Sequence, residues 1–177
     1  MRNIWHDIDN DRIKNEDFIV VIEISKGSKK KYELDKETGM IILDRVLHTS
    51  MHYPSNYGFI PRTYAQDRDP LDVLVLSPEI IDPLVLVRCK PIGIIKMIDE
   101  DFIDEKIIAV PYNDPTMCSY NDISELPKHQ FDEISHFFRV YKELENKETV
   151  VLETLGRQDA VEVIKECIKE YENLYIK

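Results

Sequence analysis

The sequence is poor in three things, and each shortage closes off a class of protein. No apolar run approaches the roughly 20 residues of a membrane-spanning helix. Only three cysteines occur in 177 residues; Cys89, Cys118 and Cys167 are scattered, with no C-x-x-C pair. That pattern suits reduced thiols in a cytoplasm and fits neither a disulfide scaffold nor a zinc site. Basic residues are outnumbered, 23 against 34 acidic ones, giving a formal net charge of −11. Such acidity argues against a nucleic-acid or anionic-membrane partner. The opening residues, Met1-Arg2-Asn3-Ile4-Trp5-His6-Asp7, carry no signal-peptide apolar core. The expectation is a cytoplasmic protein of one domain, residues 1–177, large enough to bury a substantial core.

What the chain has in excess is carboxylate, most densely in Asp67-Arg68-Asp69-Pro70-Leu71-Asp72. Three carboxylates within six residues repel one another, and Pro70 limits how far the turn can splay. Hard divalent cations with oxygen ligands would relieve the repulsion; a plain solvated turn is the other reading. An EF-hand loop is excluded, because its Gly and Glu positions, counted from Asp67, hold Asp72 and Pro78.

Around this stretch the pattern is strands first and helices last. Phe18-Ile19-Val20-Val21-Ile22-Glu23-Ile24 is apolar on both faces and predicts a buried strand. Glu23 within it needs a partner or a cavity, unless it reaches solvent at the strand end. Lys31-Tyr32-Glu33 places Lys31 and Glu33 on one face. The turn Asp35-Lys36-Glu37-Thr38-Gly39 leads into a strand interrupted by Arg45, which by itself reads as a cross-strand charge. In the connection that follows, Tyr53 and Tyr57 are either core anchors or hydroxyl donors to a ligand; His48 and His52 read as ordinary histidines. Residues 85–97 suggest two strands about a bend at Pro91 and Gly93. The cluster Asp99-Glu100-Asp101-Phe102-Ile103-Asp104-Glu105-Lys106 reads as an acidic hairpin loop before a strand at 107–111. Phe131, Ile134, Phe137, Phe138, Tyr141 and Leu144 trace a helical stripe, and Ala160, Ile164, Cys167, Ile168, Tyr171 and Tyr175 trace another. With few βαβ units, this order predicts a closed antiparallel or mixed barrel of five to seven strands with helices outside.

Acidic side chains interleaved with Lys31, Arg45, Lys106 and Lys142 suit a substrate dense in phosphate oxygens, bridged by metals and steadied by cations. The acidic stretch resembles the signature of the family I soluble inorganic pyrophosphatases. Further matches run in order through Val21-Ile22-Glu23-Ile24, Lys31-Tyr32-Glu33, Asp44-Arg45, Tyr53-Pro54-Ser55-Asn56-Tyr57-Gly58, Lys96-Met97-Ile98-Asp99-Glu100, Asp104-Glu105-Lys106 and His136-Phe137-Phe138-Arg139-Val140-Tyr141-Lys142.

The resemblance implies an OB-like five-stranded β-barrel, mainly β with flanking C-terminal helices, with the site at the barrel mouth. It implies hydrolysis of pyrophosphate to two orthophosphates by direct attack of a metal-activated water. Several Mg²⁺ ions per site are implied, with Mn²⁺ or Zn²⁺ as substitutes, and a homohexamer. Asp67, Asp72 and Asp104 match ligands of the principal metal pair and Asp99 a ligand of a further ion. Asp69 matches the acceptor of the water's proton. Lys31, Arg45, Tyr57, Lys106, Tyr141 and Lys142 match phosphate-binding positions; Glu23, Glu33 and Tyr53 match supporting ones. Arg68 departs from the pattern, standing where the family has a small or acidic residue. Rival classes are an OB-like module that binds oligonucleotide or polyphosphate without turnover, a nucleotide phosphohydrolase and a structural calcium-binding domain.

Overall fold

Unbroken apolar runs build the frame. In the computed structural model, residues 3–100 and 102–176 are described; Met1 and Arg2 of the opening segment, Asp101 of the second acidic cluster and the last residue, Lys177, lie outside them. In chain order the elements are β1 (Ile13–Lys14), β2 (Asp17–Ile24), β3 (Lys30–Leu34), β4 (Ile41–Val46), β5 (Asn56–Phe59), β6 (Asp72–Val75), β7 (Leu86–Asp99), β8 (Phe102–Pro111), α1 (Lys128–Val140), β9 (Thr149–Gly156) and α2 (Arg157–Tyr175). Strands neighbour one another as β1-β2-β5-β6-β8-β7-β9, and a further pairing of β2 with β7 closes β2, β5, β6, β8 and β7 into a ring. This is the OB-like five-stranded barrel, mainly β, with both helices packed against it. The hairpin β3–β4 forms a separate two-stranded sheet.

β6 and β8 run parallel, and both are buried on two faces, which is why their sequences do not alternate. Val73, Val75, Ile107 and Ala109 pack with Ala160 and Ile164 of α2. Leu74, Leu76, Ile108 and Val110 pack on the other side with Phe137 and Phe138 of α1. Each fully buried branched side chain contributes about 1.5–3 kcal/mol, so this pair of strands is a firm base for side chains at its ends.

Three irregularities aim polar groups. The β2–β5 register steps from Ile22↔Gly58 to Ile24↔Tyr57, leaving Glu23 as a bulged residue. Gly58 is required there, since a Cβ would sit 1.9 Å from the Val21 carbonyl oxygen. In β3–β4 the register steps from Lys31↔Arg45 to Tyr32↔Leu43, so Asp44 is the extra residue. In place of two strands about a bend, residues 86–99 are one strand with a bulge between Pro91 and Gly93. Its first part pairs with β2 and its second with β9, so the bulge lets one strand serve two neighbours.

Two further expectations are corrected. The acidic cluster is not a loop ahead of a strand: β8 starts at Phe102, and Asp99 pairs with Phe102. The apolar stripe of α1 stops short of Leu144, because the helix ends at Val140 and Leu144 lies exposed in a 3-10 turn, Glu143–Glu145.

Candidate active site

One open cavity of about 510 Å³ is lined by all fourteen residues singled out in the sequence. Glu23 enters from the β2 bulge, Lys31, Glu33 and Arg45 from the hairpin, and Tyr53 and Tyr57 from the approach to β5 and the strand itself. Asp67 and Asp69 come from the loop before β6, Asp72 from its first residue, and Asp99 from the end of β7. Asp104 and Lys106 share one face of β8, while Tyr141 and Lys142 follow α1. His48 and His52 are exposed and do not line it.

The parallel register sets Asp72 opposite Lys106. The buried Lys106 ammonium lies 2.8 Å from Asp72 Oδ2, 2.9 Å from Asp104 Oδ2 and 2.9 Å from the Tyr57 hydroxyl. Tyr57 also donates to Asp72. Burial disfavours the Lys106 charge, but Asp104 and Asp72 outweigh it and hold its pKa well above the usual value. Lys142 pairs with Asp99, and Lys31 with Glu33 and Asp44. Tyr53 packs at 5.0 Å from the Phe137 ring and 5.4 Å from Tyr57; burial pushes the phenols of Tyr53, Tyr57 and Tyr141 up. These tyrosines pack in the core and line the cavity at once.

The acidic loop is held from behind. Thr63 Oγ1 donates to the Ile60 carbonyl and accepts from the Leu71 N–H at 2.8 Å. Trp5 Nε1 donates to the Thr63 carbonyl at 3.0 Å, and the Tyr64 N–H donates to the Cys167 carbonyl of α2. Within the loop the Asp69 N–H donates to Asp67 Oδ1 at 3.0 Å. Arg68 is exposed, sits in the left-handed region at φ 71° and does not line the cavity.

The cavity is short of positive charge. Nine carboxylates line it against six lysines and arginines. Burial, reinforced by Asp72, pushes Asp67 up to about 7 and Glu23 well above the ordinary range. Burial also raises Asp104 despite Lys106. Asp99 Oδ1 is a buried acceptor with no partner among the described residues. Among those residues no three acidic, His or Cys side chains form a ready-made ligand shell; Lys106 stands between Asp72 and Asp104. The donor set is all oxygen and under-neutralised, which fits hard divalent cations.

Residues the sequence reading missed complete the rim. Lys36 pairs with Asp69, and its Nζ also donates to the Arg68 carbonyl at 3.2 Å. Lys147 pairs with Glu100. Asp44 bridges Lys31 and Arg45. Asp44 and Glu100 stood in the matching fragments; for Lys36 and Lys147 the sequence carried no signal, because their partners are set by tertiary contacts.

The sequence profile of the family described as inorganic pyrophosphatase matches residues 20–172. Inorganic pyrophosphatase from Aquifex pyrophilus is 52% identical over 88% of this chain and 90% of its own. Soluble inorganic pyrophosphatase 2 of Chlamydomonas reinhardtii is 46% identical over 97% and 90%. The crystal structure of inorganic pyrophosphatase from Thermus thermophilus superposes with a TM-score of 0.90 at 39% identity, covering 97% of this chain and 99% of that one. The Helicobacter pylori enzyme gives 0.87 at 44% identity, covering 90% and 96%.

Proposed function

Since the chain belongs to the inorganic pyrophosphatase family, we propose that this cavity hydrolyses inorganic pyrophosphate to two orthophosphates. The carrying observation is the convergence of fourteen separated residues on one cavity whose carboxylates outnumber its cations. Pyrophosphate presents many anionic oxygens and no apolar part. The interleaved cations suit that, and the uncompensated carboxylates suit the metal ions the family depends on.

Asp67, Asp72 and Asp104 would hold the principal pair of ions and Asp99 a further one, Mg²⁺ being the working metal and Mn²⁺ or Zn²⁺ substitutes. When bound, these ions neutralise phosphate charge and make a water easier to deprotonate. Asp69 accepts that proton; it is half-exposed beside Asp67, so it can return the proton to solvent. As the oxygen–phosphorus bond forms, the bridging P–O bond breaks and the second orthophosphate leaves. Lys31, Arg45, Tyr57, Lys106, Tyr141 and Lys142 hold phosphate oxygens and stabilise the charge that develops. Glu23, Glu33 and Tyr53 support them, Glu33 through its ion pair with Lys31. The whole chain acts as one catalytic domain, in a cytoplasmic homohexamer, with neither nucleic acid nor membrane as a partner.

Orthophosphate release from pyrophosphate, with Mg²⁺ and with chelator, tests this. Fast release that requires Mg²⁺ and spares ATP is the expected result; no release with any divalent ion refutes it.

A further inference from the structure

Arg45 is a phosphate-facing cation set apart from the strands of the barrel. It lies on the β3–β4 hairpin, which shares no ladder with the barrel, so side-chain contacts must fix its guanidinium. Two carboxylates do so. Asp44 takes Nη1. Glu145, 100 residues away in sequence, takes Nε, with its oxygens at 3.0 and 2.9 Å. The third nitrogen, Nη2, is buried and has no partner among the described residues.

Glu145 is well placed to act as a fixed anchor. Its side chain is 8% exposed, against 21% for Arg45, and it lines no part of the cavity. It sits at the end of the 3-10 turn that begins directly after Lys142, its N–H donating to the Lys142 carbonyl at 2.9 Å. Asn146, left-handed at φ 56°, closes that turn. One short turn therefore sets both Lys142 and, through Glu145, Arg45.

We infer that Glu145 is a positioning residue for the diphosphate substrate. A guanidinium is a rigid planar fork. Holding Nε from outside the cavity fixes the plane of the fork that Arg45 presents at the cavity wall. The inference rests on pyrophosphate being the substrate of this cavity.

The experiment measures pyrophosphate KM and kcat, and binding of the non-hydrolysable methylenediphosphonate with Mg²⁺, in Glu145→Ala, Glu145→Gln, Arg45→Lys and Glu145→Ala/Arg45→Lys. Glu145→Ala is expected to raise KM and weaken diphosphonate binding about tenfold, the scale of one charge-assisted hydrogen bond, with kcat within about threefold. Glu145→Gln, isosteric and still an acceptor for Nε, recovers most of the loss and covers the case in which the alanine variant does not fold. The double variant binds no more weakly than Arg45→Lys alone. Unchanged diphosphonate affinity with only a lowered unfolding midpoint, or losses that multiply in the double variant, would overturn the inference. A wild-type protein that neither binds the diphosphonate nor turns over pyrophosphate sinks the underlying reading instead, before any variant is made.

Discussion

The charge shortage of the cavity has a thermodynamic signature in the metal-free protein. Asp67 is raised to about 7 by burial first and Asp72 second. A carboxyl whose folded pKa lies above its unfolded value stabilises the fold only while protonated. Its contribution is complete below the ordinary aspartate value, declines as pH rises, and is gone once pH passes about 7. At about 1.36 kcal/mol per tenfold change in proton affinity, the full shift corresponds to about 4 kcal/mol. Asp67 is only partly buried, and solvent screening brings the working figure to about 2 kcal/mol. Glu23 and Asp104, also raised, act in the same direction. His6 acts oppositely, because burial lowers its pKa, so a wild-type curve alone mixes the two signs.

Asp67→Asn separates them. Denaturant unfolding in chelator at pH 5, 6, 7 and 8 is expected to show the wild type losing stability relative to Asp67→Asn by about 1–2 kcal/mol across that window. In a protein of 177 residues that difference amounts to a few degrees of melting temperature. Saturating Mg²⁺ should stabilise the wild type, and by more at pH 8 than at pH 5, because binding no longer has to displace the Asp67 proton. Parallel wild-type and variant curves in chelator would show that Asp67 titrates as an ordinary surface carboxylate, and the charge-shortage argument would fall.

Asp69→Asn should cut turnover by about 10²–10⁴-fold, the usual worth of a general base, while calorimetric Mg²⁺ affinity stays near wild type; lost metal binding with residual turnover would reassign the residue. Gly58→Ala puts a Cβ at 1.9 Å from the Val21 carbonyl oxygen, so it should open the β2–β5 bulge and disturb Glu23 with it, read as a lower unfolding midpoint and weaker metal binding. Arg68→Gly relieves a left-handed residue costing about 1–2 kcal/mol, offset by the greater chain entropy of glycine; a net gain of up to about 1 kcal/mol is expected in unfolding measurements, with KM unchanged because Arg68 is exposed and outside the cavity lining.

Most of the barrel was legible because β2, β6 and much of β7 and β8 leave apolar, largely β-branched runs; β5, Asn56–Phe59, has no β-branched residue and reads as part of a connection, yet pairing with β2 and β6 makes it a strand. The site was legible because its carboxylates and cations interrupt those runs or crowd a proline-held turn. What stayed hidden was register. Nothing in Val21-Ile22-Glu23-Ile24 says that Glu23 is the extra residue of a bulge, yet the bulge is what turns it into the cavity. Residues 102–106 look like loop because acidic side chains dilute their apolar positions; pairing with β7 makes them strand, overriding the local pattern.

The largest gap concerns what holds the site rather than what forms it. The loop carrying Asp67 and Asp69 has few apolar residues of its own to fix it. Its position depends on Trp5, Thr63 and the Cys167 carbonyl, and that of Arg45 on Glu145. Apart from Thr63, eight positions from Leu71, these partners are separated from what they hold by about 60 to 100 positions, and each is an ordinary-looking residue where it stands. Chemistry-bearing residues betray themselves by violating local patterns, whereas their supports obey them. A sequence can therefore disclose which groups react well before it discloses how accurately they are held.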